Sequence, residues 1–194
     1  MTALLVIGLG NPGSQYDRTR HNVGARAVEV LASRGHLTFS TQRKAKARVA
    51  TTEMHATHVV LAIPMTFMNE SGLAAAPLVR HYLADETSPL SRLVVIHDEL
   101  DLAPGTVRIK LGGGTAGHNG LRSIGSHLHE LDFGRIRIGV GKPPVAMSGA
   151  DYVLGRVSRD EQTILDESCQ RAADAFEMIV EEGISRAMTH FNAR

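Results

Sequence analysis

The chain has 194 residues, 43% of them apolar and 21% charged. That is the size and balance of one globular domain that buries a core without disulfides or structural metals. It excludes a disordered or low-complexity chain, and no apolar run approaches the roughly 18–20 residues that span a bilayer. The lone Cys169 excludes an internal disulfide, and within an apolar helical pattern it reads as a small buried hydrophobe. The start, Met1 to Gly8, lacks a basic segment and is too short for a signal peptide, so a cytoplasmic protein is expected. The net charge of +1 is unevenly spread: +6 over residues 1–50, −4 over 51–100, +3 over 101–150 and −4 over 151–194. A basic face for a polyanionic partner fits that pattern, as does ordinary surface mixing.

Thr2–Leu9 is an apolar run closed by glycine and reads as a buried strand. Val23, Ala27, Val30 and Leu31 share one helical face, predicting a helix from near Asn22 to Arg34–Gly35. Ala47–Thr52 and His58–Ile63 are β-rich and predict a hairpin. Ser71–Leu83 reads as a helix that Pro77 should kink or confine to a late start. Leu93–Ile96 and Val107–Leu111 are predicted strands, the first followed by the acidic His97–Asp101 segment. A glycine loop, Gly112–Gly117, precedes a helix with Leu121, Ile124 and Leu128 on one face. Arg135–Val140 is the next strand, and Lys142–Gly149 reads as a lid segment. Ser158 to Glu161 is a capping box. It opens a helix striped by Leu165, Cys169, Ala172, Phe176 and Ile179, which Gly183 stops. A short last helix carries Ile184, Met188 and Phe191. The fold class predicted is a single three-layer α/β domain over residues 1–194. Its sheet is mixed and mostly parallel, with helices on both faces.

Three loops carry chemistry. Gly8-Leu9-Gly10-Asn11-Pro12-Gly13 follows a strand and matches the G-x-G-x-x-G pattern. A dinucleotide fingerprint opens its helix inside the motif, whereas here the helical pattern waits until about Asn22. The second loop, Met65–Gly72, could offer Asn69 or Ser71 as an N-cap. The third, Gly112–Gly120, could offer Asn119. Asn11, Asn69 and Asn119 each lie at a strand-to-helix passage, and Asp98 falls just past a strand. In α/β sheets ligands bind beyond the strand carboxyl ends, so these groups are expected in one cleft. His21, at the start of the first helix, would join them, and a carboxylate nearby would fix its tautomer. His127-Leu128-His129 and His97-Asp98 lack the spacing of a closed metal site, and no G-x-S-x-G elbow occurs.

The combination of motifs is more specific than its parts. Gly8–Gly13 with Tyr16 and Arg20-His21-Asn22-Val23-Gly24 resembles the opening of bacterial peptidyl-tRNA hydrolases. Thr66–Gly72 resembles that family's second motif. His97–Asp101 through Lys110–Gly114 to Gly117–Leu121 resembles its third, and Arg135–Gly141 with Tyr152-Val153-Leu154 completes the order. The resemblance spans roughly residues 3–190, with Pro77 and Thr115-Ala116 as small departures.

The resemblance implies a cofactor-free, metal-free, largely monomeric esterase acting on peptidyl-tRNA from stalled or aborted translation, with no membrane and no obligate protein partner. It implies His21 as base and Asp98 as its partner. It further implies Asn11 near the scissile ester, and Asn69 and Asn119 positioning substrate. Tyr16 and Phe67 would touch tRNA, and Lys110 and Arg137 would grip its 5′-phosphate end. Activated water suffices for such an ester, with a carboxamide N–H for the oxyanion. Two other classes remain open at this point. One is an NADP-dependent oxidoreductase using the Gly8–Gly13 loop, and the other a non-catalytic RNA-binding module.

Overall fold

The computed structural model describes residues 2–193; Met1 and Arg194 lie outside the described residues. The strands are β1 (Ala3–Gly8), β2 (Ser40–Gln42), β3 (Ala47–Met54), β4 (Thr57–Pro64), β5 (Leu93–Glu99), β6 (Val107–Leu111) and β7 (Gly134–Gly139). The helices are α1 (Val23–Arg34), α2 (Ser71–Tyr82), α3 (Asn119–Leu128), α4 (Gly149–Leu154), α5 (Arg159–Glu182) and α6 (Ile184–Asn192). One seven-stranded sheet runs in the order β2-β3-β4-β1-β5-β7-β6. Its centre, β4-β1-β5-β7, is parallel, and β2, β3 and β6 add antiparallel pairings at the two sides. The sheet is therefore mixed as expected, with the parallel pairings confined to its middle.

Every residue of β1 is buried, which is why the run is continuously apolar rather than alternating: a central parallel strand is covered on both faces. One face meets α1, α5 and α6 through Val28, Leu31, Leu165, Phe176 and Phe191. The other meets α2 and α3 through Ala74, Leu78, Leu121 and Ile124. Cys169 is buried in the first layer and burial pushes its thiol up to about 11, so it packs as the small hydrophobe expected. The edge strand β6 is protected by Asn192, whose carboxamide accepts from Ile109 N at 2.9 Å and donates to Ile109 O at 2.8 Å. The outward N–H and C=O of Ile109 are thereby kept from pairing with another chain.

Several boundaries differ from the sequence expectation. Helix α2 starts at Ser71 and runs through Pro77. Burial of Ala74, Ala75, Leu78 and Val79 outweighs the lost hydrogen bond, so the proline neither delays nor ends it. Strand β5 continues through His97, Asp98 and Glu99, all buried, because β7 pairs with it as far as Gly139. Asp98 is thus inside the strand rather than beyond it. The predicted hairpin is present, turning at His55 and Ala56, both with positive φ. The short elements β2 and α4 were not expected.

Gly24 brings the first helix to the sheet. A Cβ there would lie 2.1 Å from Ile96 O and 2.8 Å from Leu9 N, so only glycine lets α1 lie directly on β5. That contact sets the segment before α1, with His21, beside the carboxyl end of β5.

Candidate active site

The carboxyl ends of β1, β4, β5 and β7 share one rim, and a cavity of about 620 Å³ opens there. Asn11, Tyr16, His21, Phe67, Asn69, Asp98 and Asn119 all line it. Seven of the nine residues singled out in the sequence therefore meet in one cleft. The remaining two, Lys110 and Arg137, do not line it. They lie on one face of the β6–β7 ladder, where Lys110 faces Arg135 and Arg137 faces Arg108. Arg137 reaches toward the cleft by an ion pair of 3.7 Å with Glu99, a lining residue.

His21 sits in a 3-10 turn, Arg20–Asn22, just ahead of α1 rather than in its first turn. Its Nδ1 is 2.9 Å from both carboxylate oxygens of Asp98. Nδ1–H therefore donates to the carboxylate and the Nε2 lone pair is left for a ligand. The turn is held from behind by buried Arg20. Its guanidinium donates to both oxygens of Glu161 at 2.6 and 2.7 Å and to Tyr152 O at 2.8 Å. This fork is why Glu161 does not complete the capping box. Ser158 Oγ accepts from Glu161 N at 3.2 Å, but the Glu161 side chain goes to Arg20.

Asp98 serves a second imidazole that the sequence reading missed. His118 Nε2 donates to Asp98 Oδ1 at 2.8 Å. His118 Nδ1 accepts from Gly120 N and Leu121 N at 3.1 and 3.3 Å, so His118, not Asn119, caps α3. Only a glycine-flanked histidine before the helix hinted at it, and histidine is not a usual cap. Burial works against the Asp98 charge, but attraction to the His118 and His21 rings and the hydrogen bonds from both outweigh it. The carboxyl is held well below the usual carboxylate range. Behind it, His97 donates from Nδ1 to Asp98 O at 2.7 Å. Burial, with His118 adding to it, pushes this ring down to about 3.

His21, Asp98 and His118 place three possible metal donors within 4.8 Å of one another. The donor set does not suit a metal as arranged. His118 Nδ1 is committed as an acceptor from α3, so Nε2 carries the ring proton and has no lone pair to give.

The carboxamides are set differently from one another. Asn11 is clamped: its N donates to Asn22 Oδ1 and its O accepts from Asn22 Nδ2, both at 2.9 Å. Its Oδ1 accepts from Met68 N at 2.8 Å. The group it has left for a ligand is Nδ2, a donor. Gly10 permits this clamp, since a Cβ there would sit 2.9 Å from the Asn22 carboxamide. Asn69 is exposed in a 3-10 turn, Met68–Glu70, ahead of α2. Neither it nor Ser71 caps the helix; Ser71 Oγ donates to Met68 O at 2.7 Å. Asn119 opens α3, and its Oδ1 accepts from Arg122 at 3.4 Å. Tyr16 and Phe67 meet edge to face, 6.4 Å between centroids, at one lip of the cleft. The other lip carries Gly149, Ala150, Val153 and Leu154 of α4; of the expected lid segment Lys142–Gly149, only Gly149 lines the cleft. The Gly8–Gly13 loop enters a turn region, with Gly13 at φ +110°, and opens no helix. The helix-borne pyrophosphate cradle of a dinucleotide fold is therefore absent from this loop.

Comparison with known proteins identifies the family. The family model described as peptidyl-tRNA hydrolase matches residues 5–194. Peptidyl-tRNA hydrolase of Mycolicibacterium gilvum is 46% identical over 190 residues, covering 98% of this chain and 97% of that protein. The Chloroflexus aurantiacus protein of the same name is also 46% identical, covering 97% and 98%. The crystal structure of peptidyl-tRNA hydrolase from Acinetobacter baumannii superimposes with a TM-score of 0.89 at 36% identity, covering 98% of this chain and 95% of that one. With the whole length matched and the motif residues gathered in one cleft, the chain belongs to the peptidyl-tRNA hydrolase family.

Proposed function

We propose that this chain hydrolyses the ester between peptide and tRNA in peptidyl-tRNA, with His21 activating water and Asp98 orienting His21. The observation that carries this reading is the free Nε2 of His21, whose Nδ1–H is fixed on Asp98 2.9 Å away, in a cleft lined by three asparagines. His21 Nε2 takes a proton from water as the water oxygen bonds to the ester carbonyl carbon. The carbonyl oxygen gains charge, and a carboxamide N–H answers it. The carbon–oxygen bond to the ribose then breaks, the peptide leaves as a carboxylate, and the ribose oxygen takes up a proton. No covalent enzyme intermediate and no cofactor is needed for these steps.

Asn11 would supply that donor, or read the peptide carbonyl beside it, because Nδ2 is its only uncommitted group. Asn69 and Asn119 would position the substrate, with Tyr16 and Phe67 against the RNA end. Lys110 and Arg137 would hold the 5′-phosphate at the β6–β7 side. Action as a monomer belongs to the same reading, as the family resemblance implies. The substrate is a product of translation, which supports a cytoplasmic site. Among the described residues no helix is long and apolar enough to cross a membrane.

The test is hydrolysis of N-acetyl-aminoacyl-tRNA beside its unblocked counterpart. The blocked ester should be cleaved much faster, since a free amine offers no acyl carbonyl for Asn11 to meet. Asn11→Ala should shrink that ratio. Equal rates on both substrates with the wild-type protein would contradict the reading.

A further inference from the structure

We propose that the turn between β2 and β3, with Arg43, Lys44 and Lys46, is a second RNA-contacting surface that meets phosphates of the tRNA body. The proposal rests on the peptidyl-tRNA reading above.

The turn lies at the catalytic rim. Strand β3 is antiparallel to β4 and pairs Ala47 with Pro64. Residues 43–46 therefore stand beside the carboxyl end of β4, level with the ends of β1 and β5. Met65 N donates to Lys46 O at 2.7 Å. That bond ties the turn to the passage carrying Phe67, Met68 and Asn69 into the cleft. The turn itself is fixed, with Lys46 N donating to Arg43 O at 3.2 Å and Ala45 buried beneath it.

Its cations are unspent. Arg43, Lys44 and Lys46 are all exposed. Among the described residues none of the three forms an ion pair. Other arginines of this region are matched: Arg48 has Glu29, and Arg18 and Arg26 share Asp166. Three cations without carboxylates, next to the exposed side chains of Met65 and Phe67, are a surface for nucleic acid.

RNA is favoured over peptide because of what stays constant between substrates. The peptide differs with every interrupted message, so a fixed cationic patch would help some substrates and repel others. The phosphate backbone is the same in all. The β6–β7 ladder with Lys110 and Arg137 is at the opposite side of the sheet, about 24 Å away at roughly 4.8 Å per strand spacing. A folded tRNA covers that span, whereas one phosphate group cannot.

The test compares wild type with the triple variant Arg43→Gln/Lys44→Gln/Lys46→Gln in two measurements. The first is affinity for deacylated tRNA across a salt series, which needs no esterase activity. The slope of log affinity against log salt should flatten by about 2.7, since each of the three phosphate contacts contributes roughly 0.9. The second is kinetics on full-length N-acetyl-aminoacyl-tRNA and on the same ester of a CCA trinucleotide. KM on the full tRNA should rise roughly ten-fold with kcat kept, while the trinucleotide should be cleaved as by wild type. Unchanged tRNA affinity and salt slope would overturn the proposal. So would an equal loss on the trinucleotide, which would put the effect in the cleft. A loss confined to substrates with acidic peptides would also overturn it, in favour of a peptide surface. If wild type binds tRNA through this turn but cleaves neither ester, the proposal stands and the catalytic reading fails.

Discussion

One carboxylate, Asp98, receives N–H bonds from two imidazoles, and this makes its charge hard to replace. Its Oδ1 serves both His118 and His21, and Oδ2 serves His21 alone. In Asp98→Asn the oxygen must stay opposite His118, whose proton is fixed on Nε2 by the amides of α3. The new NH2 takes the place of Oδ2, 2.9 Å from His21 Nδ1, and favours the ring tautomer in which Nδ1 accepts from it over the one in which Nδ1–H donates to the retained oxygen alone. In that tautomer the His21 proton is on Nε2 and the base is lost from the cleft. A fall in kcat of roughly 10²–10⁴-fold with little change in KM is expected, the range a positioned base contributes. Steady-state kinetics on N-acetyl-aminoacyl-tRNA measure it, and a variant retaining more than a tenth of wild-type kcat would speak against the tautomer account. The motif residues made His21 and Asp98 legible in the sequence. The role of His118 was hidden because both of its ring nitrogens act, one on a helix start and one on a strand 20 residues earlier.

Elements were most legible where their residues are covered on the expected face. The continuous burial of β1 and the stripe of α5 followed directly from period and apolar content. Strand β5 was cut short because His97, Asp98 and Glu99 read as a polar stop, although pairing with β7 carries them into the sheet. Strand β2 has three residues and α4 six, too few to establish a period. The start of α3 was misassigned by one residue because capping statistics favour asparagine over histidine. That cap offers a test with two separable readouts. His118→Ala loses both the α3 cap and the bond to Asp98, and should cost about 1 kcal/mol of stability as well as activity. His118→Asn keeps a capping oxygen but cannot span to Asp98, so it should recover much of the stability and none of the activity. Chemical denaturation and kcat, measured on both variants, check this. Recovery of kcat in His118→Asn would show that His118 acts only as a cap.

At the scale of the whole molecule, buried His97 and Asp98 make the stability of the fold depend on pH. Native His97 takes up a proton only near pH 3, whereas its ordinary value is 6.5. Between those values the unfolded chain binds the extra proton, so stability is full above about pH 6.5 and falls as the pH drops. Below about pH 4 Asp98 adds to the fall, because its native carboxyl stays ionised after the unfolded one has protonated. His97→Gln should flatten unfolding free energy against pH between 6 and 4 by up to about 1.4 kcal/mol per unit, one proton's worth. Superimposable slopes for the two proteins would contradict the assignment. The three layers and the placement of the motifs at one rim were readable from the alternation of strands and helices. The Arg20 fork was not, since it joins residues 141 positions apart and neither side chain marks its partner. The account as a whole turns on His21 as the base. Its most direct test is single-turnover hydrolysis of N-acetyl-aminoacyl-tRNA by His21→Ala, with tRNA affinity measured on the same preparation. Cleavage slowed by roughly 10²–10⁴-fold at unchanged affinity is the predicted result, and a near-normal single-turnover rate would contradict it.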